Sequence, residues 1–273
     1  MSLIVSLRIA DGLVLATDSL SSLQATMNIA SDLKVKCPQC TKDIELKDLR
    51  FPPVTFATAT RSFAQKLFPF DQEYGIASFG LGIVNEKTIS YHVKELEATI
   101  KRRKSYSIED LVESLKEHFD REIREQIKEL DQAPDNFYPL GLQIVGYDSD
   151  RHGKTVELRI GKKSKSKVYD NIGCTISGDV GVVLQLWELG KKIPQQRTNY
   201  HSLSLQDAID YAEFLINTTA AYQRFANMLP TVGGEVDIAL ITPFQKFTWI
   251  KSKRLARILT REKGVPNEQE AQS

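Results

Sequence analysis

Apolar and polar positions alternate from Leu3 to Ile9, the period of a strand with one buried face. Asp11-Gly12 follows, and both residues tolerate the positive φ of a tight hairpin turn. A second apolar run then ends at Thr17-Asp18. The pattern predicts a hairpin that returns beside its own start, bringing Asp18 near Ser2.

The period changes to that of helices after Gly80. Ile89, Val93, Leu96 and Ile100 recur on one stripe. Ser107 and Asp110 then form a capping-box start for a helix carrying Leu111, Leu115, Phe119, Ile123 and Leu130. Strands are expected at 140–147, 156–160 and 167–169, with Ser164-Lys165-Ser166 as a turn. An apolar helix is expected around 182–189, and a capped one from Ser204 using Leu205, Ile209, Ala212 and Ile216. Strands at 236–241 and 247–250 close the chain. Strands, two helices, strands and two more helices imply an α+β class with packed sheets and helices outside.

The 273 residues are 41% hydrophobic and 26% charged, enough for one domain with a large core. A net charge of +1 gives no reason to expect nucleic acid. No apolar run reaches eighteen residues, so no membrane span is expected, and the start lacks the basic leader of a secretory signal. Three cysteines, an odd number, argue against a disulfide framework and suit the cytoplasm.

Ser2 supplies the first chemical lead. Removal of Met1 would leave a hydroxyl and a free α-amine on one residue, a nucleophile with its own base. An α-amine titrates at roughly pKa 7.7 to 8.0, close to neutrality.

The opening resembles that of proteasome β subunits and their bacterial relatives, the HslV-type peptidases and the Anbu group. The matching residues are Asp11-Gly12-Leu13-Val14-Leu15-Ala16-Thr17-Asp18, with Asp18 sixteen positions after Ser2. Ala30-Ser31-Asp32-Leu33-Lys34-Val35 resembles the segment before the family's catalytic lysine, and Lys34 lies sixteen positions after Asp18. Tyr74 to Gly82 resembles the strand ending at the oxyanion-hole glycine, here Gly80. Ser177-Gly178 resembles the serine-glycine turn near the free amine, and Val232 to Ile241 the late glycine and closing strand.

The resemblance implies a single N-terminal-nucleophile (Ntn) hydrolase domain over 1–262, a four-layer αββα sandwich; the residues after it, 263–273, read as a disordered tail. It implies catalytic roles for Ser2, Asp18, Lys34, Gly80 and Ser177, with no cofactor. It further implies peptide or unfolded-protein substrates, a cytoplasmic homo-oligomer built as a ring or stack, and an unfoldase as a possible partner.

Serine replaces the usual threonine. Leu229 and Val232 stand where many β subunits carry an aspartate and a serine that support the amine. Two other functions therefore stay open: an inactive structural subunit, and an amidohydrolase acting on small molecules.

Residues 36–70 read as an insertion, with Pro52-Pro53 and a charged stretch suited to a surface element near the Ser2 site. Its position decides the lysine. Lys66 lies fourteen positions before Gly80 and satisfies the family's interval if the insertion comes earlier; Lys34 is favoured because it needs no gap from Asp18. Cys37 and Cys40 have the spacing of half a zinc site or of a redox pair, but a closed zinc site needs four ligands, and the reading preferred is an ordinary loop with two thiols. Cys174, His92, His118, His152 and His201 are scattered, with no partner at ligand spacing.

Overall fold

Both faces of the first hairpin are buried, because each parity of the strand feeds a different core. The computed structural model describes residues 2–27, 34–36, 39–40, 43–45, 54–100, 106–193, 195, 197–227 and 229–253. The expected tail at 263–273 lies outside them. In chain order the strands are β1 (Leu3–Arg8), β2 (Leu13–Thr17), β3 (Ser21–Met27), β4 (Lys34–Lys36), β5 (Asp43–Glu45), β6 (Val54–Arg61), β7 (Leu67–Phe70), β8 (Tyr74–Gly80), β9 (Ile83–Val84) and β10 (Lys87–Thr88). Helices α1 (Ile89–Ile100) and α2 (Ile108–Gln126) follow. Then come β11 (Leu140–Tyr147), β12 (Gly153–Ile160), β13 (Lys165–Tyr169), β14 (Gly173–Gly178), α3 (Gly181–Lys192), α4 (Leu205–Phe225), β15 (Asp237–Thr242) and β16 (Lys246–Lys251).

Two five-stranded antiparallel sheets organise the α+β fold. One has the order β14-β1-β2-β15-β16 and the other β13-β12-β11-β8-β7. Leu3, Val5 and Leu7 pack with Ala208, Ala212 and Ile216 of α4. Ile4, Leu13 and Leu15 turn the other way and meet Leu67, Ala77 and Val145 of the second sheet. That sheet's opposite face, with Ile76, Leu142 and Leu158, packs on Leu111, Leu115 and Phe119 of α2 and Val93 of α1. Each fully buried leucine or valine contributes roughly 1.5 to 3 kcal/mol, so this division accounts for much of the fold's driving force. Polar pairs also cross between the sheets: Ser6 Oγ lies 3.2 Å from Thr155 Oγ1, and Gln143 Nε2 donates to Ser177 Oγ at 2.7 Å.

The helix starts follow their sequence signals. Ser107 with Asp110 and Ser204 with Asp207 form reciprocal capping boxes, satisfying N–H groups that a first turn leaves unpaired. Leu130, expected on α2, instead begins a short 3₁₀ turn after that helix has ended. Among the described residues, no helix is long and apolar enough to cross a membrane.

The expected insertion at 36–70 is displaced by the observed pairing. Ser21 of β3 lies opposite Arg61 of β6, so the excursion leaves the body at Ser21 and returns at Arg61. Leu67–Phe70, assigned to the insertion from sequence, is instead strand β7 of the second sheet. Apolar Leu67, Phe68 and Phe70 are buried there, which a projecting surface segment could not provide.

Candidate functional site

Asp18 follows β2 directly and is fully buried. Its Oδ1 accepts the N–H of Leu3 at 3.1 Å, and its Oδ2 accepts those of Leu20 and Gly233, each at 3.1 Å. Three segments thereby converge on one carboxylate, and the first of these amides is the one joining Leu3 to Ser2.

The ammonium beside that carboxylate belongs to Lys66. Its Nζ donates to both carboxylate oxygens at 3.0 Å and to the carbonyl of Leu20. Lys66 is fixed from behind by the second sheet, since its carbonyl accepts Ser78 N–H at 2.8 Å. The sequence assignment of Lys34 is corrected accordingly: Lys34 lies in β4, opposite Glu45 of β5. The physical reason is the Ser21–Arg61 pairing, which closes the excursion before Lys66 and delivers that lysine to the hairpin's open end.

Burial dominates the titration of the pair. It pushes the Asp18 carboxyl above its ordinary range, opposed by the Lys66 charge and the hydrogen bonds the carboxylate accepts. It pushes the Lys66 ammonium below its ordinary value, opposed mainly by Asp18. A second buried pair, Lys253 with Asp237, is close enough to act on Lys66: the Lys253 charge lowers it further and Asp237 raises it.

Ser2, Lys66, Phe79 and Gly80 line one cleft of about 960 Å³, together with exposed Phe63 and Ile83. Gly80 ends β8 at φ +92°, and a Cβ there would stand 2.2 Å from the carbonyl oxygen of Pro139. Only glycine fits that backbone without strain. The base of the β3–β6 arm also borders the cleft through Ser21, Ser22 and Arg61.

Ser177 is buried in β14, where it pairs with Ile4 in β1. Its hydroxyl accepts the Gln143 hydrogen bond from the other sheet, and it retains a proton of its own to donate. Gly178, at φ +90°, makes the closer approach, since a Cβ there would lie 1.9 Å from the Ser2 carbonyl oxygen. Ser2, Asp18, Lys66 and Gly80 therefore meet at one place, with Ser177-Gly178 behind Ser2.

Asp179 was not singled out by the sequence. Its N–H donates to the Ser2 carbonyl at 2.7 Å. Its carboxylate accepts Thr231 Oγ1 and, at 3.0 Å, Gln223 Nε2. Gln223 in turn accepts the N–H groups of Thr231 and Val232 at 2.8 and 3.0 Å. The network occupies the turn where Leu229 and Val232 replace the polar residues of the resembled family. Its signal in the sequence was only the acidic residue after Ser177-Gly178.

Of the cysteines, Cys37 lies outside the described residues and Cys40 is exposed in a turn. Burial pushes the Cys174 thiol far above its ordinary value, leaving it a poor nucleophile. His92 and His118, scattered in sequence, come together between α1 and α2. Compared with known proteins, the chain matches no family model and no curated sequence.

Proposed function

We propose that this protein hydrolyses peptide bonds with Ser2 as nucleophile, on an αββα sandwich of the proteasome-like kind. The observation that carries this reading is the buried Lys66–Asp18 pair, tied through the Leu3 amide to the backbone of Ser2 and bordering the same cleft as Gly80. Exposure of the Ser2 α-amine, by removal of what precedes it, supplies the base. The amine takes the Oγ proton as Oγ attacks the carbonyl, then returns it to the leaving amine.

Lys66, as an ammonium, lowers the energy of the developing alkoxide. Backbone N–H at Gly80 receives the oxyanion, a contribution of roughly 2.7 to 4 kcal/mol in comparable sites. Asp179, oriented by Thr231 and Gln223, holds the Ser2 carbonyl through its N–H and so fixes the backbone that carries the amine. Extended peptide or unfolded protein suits a cleft of this size, with Phe63 and Ile83 as apolar contacts. Exposed Leu184, Leu189, Ile193, Phe214, Tyr222 and Phe225 on and around α3 and α4 support assembly into a homo-oligomer, a cytoplasmic ring or stack.

Intact-mass measurement of the purified protein, paired with assay of Ser2→Ala on fluorogenic peptide amides, tests the reading. The expected results are a chain beginning at Ser2 and a fall in hydrolysis of about 10³-fold or more, with the fold retained. A blocked Ser2 nitrogen would instead assign the chain a structural role, and a free Ser2 amine without peptide hydrolysis would favour an amidohydrolase acting on small molecules.

A further inference from the structure

The second concentration of titratable groups lies between α1 and α2, away from the Ser2 cleft. His92 is fully buried, and its Nδ1 stands 2.9 Å from Nε2 of His118. Glu95 is one turn after His92 on the same helix, and one ligand atom from each of these three residues lies within 4.8 Å of the other two. Glu95 and His118 border a cavity of about 420 Å³ whose wall also carries Glu117 and Glu122, with His92 buried behind them.

We propose that His92, Glu95 and His118 bind a divalent transition-metal ion of the zinc class, clipping α1 to α2. Two imidazoles and a carboxylate are a donor set suited to such an ion, with water completing a tetrahedron. Nε2 of His92 faces the Val84 carbonyl oxygen at 3.0 Å. That acceptor fixes the proton on Nε2 and leaves the Nδ1 lone pair aimed at His118, as a metal-ligating histidine requires. Zn–N bonds of roughly 2.0 to 2.1 Å at tetrahedral angles separate two nitrogens by about 3.3 Å, so the nitrogens part by a few tenths of an ångström while each ring turns its lone pair from the other nitrogen toward the ion.

Two adjustments complete the site. Glu95 gives up Lys87, an ion pair at 3.2 Å between half-exposed side chains and worth little in water. His118 moves its proton to Nδ1, where Arg121 Nη2 now lies at 3.3 Å; Arg121 already has a second partner in Glu122. Glu117 and Glu122 add negative charge around the cation without being required as ligands.

Cobalt(II) titration of the full chain provides the test, performed in a Cys37→Ser/Cys40→Ser background so that the thiols do not compete. One equivalent should bind without a thiolate-to-cobalt charge-transfer band, and zinc should displace it and raise the Tm. His118→Gln and Glu95→Gln, both at partly exposed positions, should each weaken binding at least about tenfold. No binding in the Cys37→Ser/Cys40→Ser protein would overturn the proposal, as would affinity indifferent to both substitutions. In either case the histidines form a hydrogen-bonded pair only.

Discussion

Two lysine–aspartate pairs are buried at the same end of the first sheet, and they are built differently. Asp237 opens β15 opposite Thr17 and is held by a single residue, Lys253, whose N–H donates to Oδ1 at 2.9 Å while its Nζ reaches Oδ2. Asp18 instead draws N–H groups from three separate segments, and Lys66 comes from a fourth. Only the second pair adjoins the cleft that holds Ser2. Removing two charges from water costs several kcal/mol per ion, so burial alone identifies neither pair as functional. What distinguishes the Asp18 pair is its position beside Ser2 and an open cleft.

Lys66→Met should give the largest effect. It strands the Asp18 carboxylate, so stability in urea is expected to fall by about 3 to 5 kcal/mol, and peptide hydrolysis by about 10²-fold or more in the protein that remains folded. Lys34→Ala should leave hydrolysis within about twofold of wild type; loss of hydrolysis there would restore the sequence assignment.

Lys253→Met sharpens the contrast. Its stability loss should fall in the same range of about 3 to 5 kcal/mol, yet kcat/KM, measured well below the lowered Tm, should stay within about threefold of wild type. Equal loss of activity in the two variants would erase the distinction between the pairs.

The smallest effect is a displacement of the pH profile. If Lys66 works as an ammonium, hydrolysis fades as pH rises through its folded pKa, which burial has lowered. Lys253→Met removes a neighbouring positive charge and should move that alkaline limb upward. Asp237→Asn leaves Lys253 in place and should move it downward, each by less than about 1 pH unit. Identical limbs in all three proteins would show that the pairs do not communicate.

The hairpin was legible because alternation and an Asp-Gly turn are local properties, and the helix starts because a capping box spans only four residues. The lysine was not, since Lys34 and Lys66 both satisfied a spacing and only the long-range pairing of Ser21 with Arg61 decides between them. Leu67–Phe70 was misassigned because a strand flanked by Lys66 and Asp71 is too short to display a period. Asp179 escaped notice because its partners lie 44 and 52 residues away and are a glutamine and a threonine, which have no diagnostic spacing. The two histidines, 26 residues apart on different helices, were hidden for the same reason.

The Ser21–Arg61 pairing makes the arm a cassette. Its ends are fixed side by side in antiparallel register, and Asp18 and Lys66 lie outside it, so the geometry between the two charged groups does not depend on how much chain the arm contains. Doubling a closed loop costs only about 0.6 kcal/mol in chain entropy. Evolution or an engineer can thus rewrite what stands at the rim of the cleft while the charges beneath it keep their separation.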